Sequence, residues 1–173
     1  GDKTAKHAGR LTLNPLRHLD PFGSVLLPAA TYLLGGFIFG WAKPVPYNPY
    51  NLKNQKFGPA LVAAAGPLSN FLIALLFGLF VRFAAPANLF SAELFSIIGF
   101  IISINLILMI FNLIPIPPLD GSKILFAFFP YKWQRTAFLL ERYGLIIVLL
   151  FIFSFSFVFL KIASLLFSLL TGL

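Results

Sequence analysis

Asp120 follows directly after an apolar run long enough to lie in a bilayer. A charged Asp near hydrocarbon costs about 2.5 to 3.5 kcal/mol, so such an acid normally has a proton, a cation or a metal ion as its partner. Three prolines precede it, Pro115, Pro117 and Pro118, and Gly121 follows it. Proline lacks an N–H and glycine permits unusual backbone angles, so the sequence predicts a broken helix here. Broken backbone at membrane depth must be buried by protein or solvated in a cavity, where a functional acid would lie.

Two amides in apolar stretches are candidates for the same site. Asn112 stands eight residues before Asp120, and both reach one place if the backbone unwinds between them. Asn70 follows small residues at 63–66, where a partner helix can approach closely, so a helix-packing hydrogen bond is equally open for it. For Asp120 the main alternative to a metal is a salt bridge to Lys123, three residues on.

The two histidines, His7 and His18, differ in their surroundings. His7 lies among basic residues, which favours a solvated side chain. His18 has Asp20 nearby and an apolar stretch just downstream. A metal-proximal or proton-handling role and an interfacial cap both remain open for His18, with Asp20 expected near the site.

Composition predicts an all-α polytopic integral membrane protein. Of 173 residues, 59% are hydrophobic and 10% charged, and the mean hydropathy is +0.92, whereas soluble domains are about 45 to 50% apolar and about 25% charged. Without cysteine, a metal would be held by His, Asp, Glu or backbone oxygen. The net charge of +8 fits basic residues flanking membrane spans on the cytoplasmic side, so we expect no nucleic acid as a partner.

Four apolar stretches could enter the membrane: 25–41, 57–81, 94–114 and 143–160. The first is short and has basic residues on both sides, which predicts a re-entrant or interfacial hairpin. The second and third are expected to form an antiparallel pair. After residue 143, either one tilted helix with Lys161 reaching the interface or a span followed by an interfacial helix fits the sequence. We expect a single domain over 1–173.

The segment 41–56 is rich in proline and lacks a helical period, which predicts an extended, turn-rich loop at the interface. Trp41, Tyr47 and Tyr50 suit the headgroup layer. An exposed strand edge that receives an extended substrate is the functional alternative.

The string from Asn112 through Pro115 and Pro118 to Asp120 and Gly121 resembles the Asn-x-x-Pro-x-x-Pro-Leu-Asp-Gly signature of the site-2 protease family of intramembrane zinc metalloproteases. Two further stretches agree, and together the resemblance covers roughly residues 1–125. One stretch, which contains Gly66, Pro67 and Asn70, is similar to the family's Gly-Pro-x-x-Asn helix. The other, which contains His18 and Asp20, looks like the segment after the first catalytic helix in compact bacterial members.

The resemblance implies a protease that hydrolyses transmembrane-helix substrates with one zinc ion. Asp120 would be the third zinc ligand, and Asn112 would position substrate or stabilise the oxyanion. The loop 41–56 would present substrate. The resemblance also implies a multi-pass protein of the cell membrane, in contact with the lipid bilayer, with its active site toward the cytoplasm.

The sequence departs from the family in lacking His-Glu-x-x-His, which would supply two zinc ligands and the general base. That motif would precede the Gly-Asp-x-x-Ala segment, which this chain carries from Gly1 to Ala5, so we expect an incomplete core that is inactive alone. A pseudoprotease or membrane scaffold is the second hypothesis. A small ion or proton transporter, with Asp120 and Asn112 along its path, is the third. Substrate identity and oligomeric state stay open.

Overall fold

Helices form the regular structure of the part of the chain that is described, and no strand occurs in that part, which confirms the all-α prediction. The computed structural model describes residues 1–12, 14–36, 38, 40, 42–43, 45–85 and 91–173. The chain folds into two compact units, residues 1–55 and residues 56–173. The single domain over 1–173 stays a prediction.

Short helical elements make up the first unit. They are α1 (Thr4–His7), a 3-10 turn (Pro15–Arg17), a π-type segment (Pro21–Leu26) that continues into α2 (Leu27–Gly35), and a second 3-10 turn (Pro49–Asn51). Three of them begin in the same way. Asn14, Asp20 and Asn48 each accept a hydrogen bond from a backbone N–H two residues on, and a proline follows each of them. A capping oxygen and a proline at the first helical position both favour helix initiation, so the sequence sets these starts locally.

The apolar helix Pro21–Gly35 is too short to cross a bilayer unaided. Its 15 residues would span about 22 Å, against a hydrocarbon core of about 30 Å. Gly36 ends it with φ of +68°, a left-handed conformation that glycine adopts without strain. The return limb of the predicted hairpin at 25–41 includes residues 37, 39 and 41, which lie outside the described residues.

The loop 41–56 is irregular over its described residues apart from the 3-10 turn Pro49–Asn51. The turn-rich character predicted for it is therefore present, and its described part forms no strand. Tyr50 is exposed, and Trp41 lies outside the described residues.

In its described residues, the second unit holds four α-helices, with a 3-10 turn (Tyr131–Trp133) before the last. They are α3 (Gly58–Ala84), α4 (Ala92–Asn112), α5 (Asp120–Ala127) and α6 (Gln134–Thr171). Three of them, α3, α4 and α6, are long and apolar enough to cross a membrane, which confirms three of the predicted spans. The last runs unbroken to Thr171 and ends where Gly172 turns left-handed at φ of +78°. It is therefore one helix rather than a span followed by a second helix.

The long helices alternate in direction, as the sequence predicted for the first pair. Ala64 near the start of α3 lines the same cavity as Met109 near the end of α4, and Val81 near the end of α3 shares another with Phe95 near the start of α4. Helix α6 contacts both α3 and α4. The buried side chains between these three helices are Ala74, Val81, Ile98, Ile102, Leu106, Met109 and Ala163.

Candidate functional site

The predicted helix break lies between Asn112, the last residue of α4, and Asp120, the first of α5. The intervening turns satisfy much of their own backbone. Leu119 N–H donates to the Ile116 carbonyl at 3.0 Å, and the Leu119 carbonyl accepts from both the N–H and the buried hydroxyl of Ser122, at 3.1 and 2.7 Å. These bonds matter because an unpaired backbone group in hydrocarbon costs several kcal/mol.

Gly121 closes this loop on itself. A Cβ at this residue would collide with the carbonyl oxygens of Leu113 and Ile114, so only glycine fits. Leu113 follows Asn112 directly, and Gly121 follows Asp120 directly. The close approach therefore brings the two ends of the loop together, with Asn112 and Asp120 one residue from the contact on either side.

Helix α6 packs against the loop between Asn112 and Asp120. Ile114 and Leu119 are buried in a cluster with Val148 of α6. Gly144, one turn earlier on α6, faces the backbone of Pro117, and a Cβ there would lie 2.7 Å from the Pro117 carbonyl carbon. The loop thus rests on α6 through apolar packing and one glycine contact.

Asp120 begins α5, and its two carboxylate oxygens lie near α3 and near Lys123 of α5. Its Oδ2 is 3.4 Å from the position that a Cβ on Gly66 would occupy, and its Oδ1 is 3.7 Å from Nζ of Lys123. The side chain of Asp120 is 32% exposed. Asn70 stands four residues after Gly66 and so shares its face of α3. The structure therefore brings the Gly-Pro-x-x-Asn face of α3 to the carboxylate, while Pro67 is fully buried.

His18 and Asp20, in the first unit, both take part in local structure. A ring nitrogen of His18, Nε2, lies 2.8 Å from the carbonyl oxygen of Thr12, to which it donates. Asp20 accepts from the N–H of Phe22 at 3.0 Å and so caps the helix Pro21–Gly35. The cap is formed by Asp20 and not by His18, and both alternatives for His18 stay predictions. His7 is exposed.

Asp2 is the centre of a group of hydrogen bonds, called the clasp, that the sequence did not predict. Its carboxylate accepts from the hydroxyl and N–H of Thr4 at 2.6 and 3.1 Å, from Asn48 N–H at 2.8 Å and from Asn51 Nδ2 at 3.1 Å. These hydrogen bonds, that of the Thr4 hydroxyl first, hold the pKa of Asp2 well below its usual range. The acid of the Gly-Asp-x-x-Ala segment was the available signal, and Thr4 is a local partner, but Asn48 and Asn51 lie 46 and 49 residues away.

The described residues do not by themselves fit a zinc ion. Among the described residues, no group of three His, Cys, Asp or Glu side chains could hold a metal ion. A zinc site normally has three or four protein ligands. Asp120 supplies one carboxylate, and the chemistry of a metal at this site would depend on further ligands.

Fold and site together define a helical membrane protein with a single carboxylate at a clamped helix break. Residues 81–155 match the model of peptidase family M50. The protein named "Putative zinc metalloprotease YwhC" from Bacillus subtilis is 41% identical to this chain, over 86% of this chain and 67% of its own length. The chain belongs to peptidase family M50, the site-2 protease family that its motifs resemble.

Two further relatives carry the same kind of name. "Putative zinc metalloprotease Rip2" from Mycolicibacterium smegmatis is 34% identical over 86% of this chain and 55% of its own length. "Putative zinc metalloprotease MJ0611" from Methanocaldococcus jannaschii is 40% identical over 42% of this chain and 35% of its own length. The chain thus spans about two thirds of the first relative and about half of the second. No solved structure gives a significant match.

Proposed function

We propose that this chain is part of an intramembrane zinc metalloprotease that cleaves transmembrane-helix substrates, with Asp120 as one of the zinc ligands. The observation that carries the proposal is the position of this carboxylate. It stands at the break between α4 and α5, in a chain of family M50, and Gly66 of α3 faces its Oδ2, which a Cβ on that glycine would approach to 3.4 Å. The remaining ligands and the general base would come from outside these 173 residues, since the sequence has no His-Glu-x-x-His.

Asn112 is proposed to position substrate. Its half-buried side chain ends α4, and an amide N–H there could donate to a substrate carbonyl. A substrate helix would have to unwind locally, because a fully hydrogen-bonded helix offers no free carbonyl. The loop 41–56 is proposed to present the unwound segment, and the basic flanks of the spans support a cell-membrane protein with its site toward the cytoplasm.

A specific contact favours a second candidate, a non-catalytic membrane protein. Lys123 lies within ion-pair distance of Asp120, and a carboxylate balanced by a lysine needs no metal. The two candidates differ in what Asp120 binds.

Zinc content separates them. Elemental analysis would compare the full-length protein carrying this chain, its Asp120→Ala variant and a Glu141→Ala control, which removes an exposed carboxylate of α6. We expect about one zinc per chain in the unmodified protein and in Glu141→Ala, and a loss in Asp120→Ala. A folded full-length protein that binds no zinc, or binds it equally without Asp120, would leave the non-catalytic candidate.

A further inference from the structure

Arg10 is a buried cation in the first unit. Its relative exposure is 9%, and its guanidinium donates one hydrogen bond, to the carbonyl of Arg17. Arginine carries five N–H donors, so most of them remain available. No carboxylate pairs with Arg10 among the described residues, although a buried charge is normally stabilised by an opposite charge.

Arg10 lines an open cavity of about 770 Å³. Three cationic side chains line it, Arg10, Arg17 and Lys43, together with one carboxylate, Asp20. The carboxylate is occupied as a helix cap by the N–H of Phe22. Three positive charges against one negative charge give the described lining a net positive charge, and the cavity is complementary to an anion.

The apolar surroundings of the cavity indicate where that anion comes from. Leu16 and Leu19 line the cavity and are 72% and 44% exposed. Pro21, the first residue of the apolar helix Pro21–Gly35, also lines the cavity. Leu33 and Leu34 near the far end of that helix are 82% and 89% exposed, a surface suited to hydrocarbon.

We propose that this cavity binds the phosphate of an anionic phospholipid headgroup, held by Arg10, Arg17 and Lys43, with the acyl chains over Leu16 and Leu19. Arginine matches phosphate oxygens with paired N–H donors, and basic pockets at the membrane surface select anionic headgroups. A short apolar helix that lies at the interface would keep the cavity at headgroup depth. The lipid would then fix the first unit against the membrane surface.

The test uses the detergent-solubilised protein and water-soluble short-chain lipids followed by isothermal titration calorimetry. Dihexanoyl phosphatidylglycerol is the anionic ligand, dihexanoyl phosphatidylcholine the zwitterionic one, and inorganic phosphate the third arm. We expect saturable binding of the phosphatidylglycerol only, weakened by salt. An Arg17→Gln/Lys43→Gln variant should lose about fivefold in affinity per removed charge, while Lys3→Gln, an exposed lysine outside the cavity, should bind as the unmodified protein does.

Arg10→Gln should lose the most affinity, and the exposed double variant keeps the test valid if the buried substitution does not fold. Equal binding of the two lipids, unchanged binding in the double variant, or binding of inorganic phosphate in place of the lipid would overturn the proposal. None of these outcomes depends on zinc or on proteolysis.

Discussion

Replacing Gly144 by alanine tests whether α6 sets the position of the proline loop. The new Cβ would lie 2.7 Å from the carbonyl carbon and 2.8 Å from the Cβ of Pro117, closer than side-chain carbons approach in folded proteins. The obstacle is backbone held by buried packing, so it cannot turn aside as a flexible side chain would. Overpacking of this kind costs about 1 to 3 kcal/mol.

Alanine also offsets part of that cost, because it favours a helix over glycine by about 1 kcal/mol. The net loss is then about 0 to 2 kcal/mol, which lowers the melting temperature by up to about 8 °C in a chain of this size. Thermal unfolding in detergent micelles, followed by circular dichroism, measures it. Because the loop carries Asp120, we also expect Gly144→Ala to reduce zinc content in the full-length protein.

Gly99→Ala is the matched control. It lies in another long helix, and its Cβ would meet Phe167 at 3.8 Å, an ordinary contact. It should therefore unfold at the same temperature as the unmodified protein or slightly higher. If Gly144→Ala behaves like Gly99→Ala, the idea that α6 holds the loop through this glycine is wrong.

Two further substitutions test the acids. Asp2→Asn should speed amide exchange at Asn48, because the Asn48 N–H donates a hydrogen bond to the Asp2 carboxylate. Hydrogen bonding lowers the pKa of Asp2 in the folded protein. The contribution of Asp2 to stability is therefore fully present above the unfolded pKa of about 3.9, and it disappears only as pH falls through the lower folded value. Protection of Asn48, corrected for intrinsic exchange, should thus stay constant from pH 7 to 4, and a decline above pH 4 would contradict the clasp. Lys123→Gln should change the melting temperature by less than about 4 °C, because a partly exposed pair contributes about 0 to 1 kcal/mol; a larger loss would mean that the lysine is the partner Asp120 requires.

The sequence predicted those features that follow from local chemistry. Three long apolar runs became α3, α4 and α6, because hydropathy over about 20 residues is a sufficient signal for a span. The prolines before Asp120 likewise marked the break, since each lacks the N–H that a helix needs.

Features that depend on distant residues were outside the reach of such reasoning. Gly144 is a helical residue in an apolar run, and nothing local indicates that the backbone of Pro117 packs on it. The burial of Arg10 and the partners of Asp2 also arise from tertiary contacts. The bonds of Asp2 to Asn48 and Asn51 join residues 46 and 49 positions apart, so no local pattern could reveal those two partners.

The break before Asp120 shows why such contacts decide the geometry of the site. Prolines stop a helix, but they do not choose among the conformations left to a loop, and loop freedom costs about 1 to 2 kcal/mol per ordered residue. Here Ile114 and Leu119 are buried against Val148, and Gly121 fits against the end of α4. The position of Asp120 relative to Gly66 therefore depends on the support of the loop by α6 as well as on the direct packing of α5 against α3, and substitutions in α6 that touch no polar group should still disturb the carboxylate.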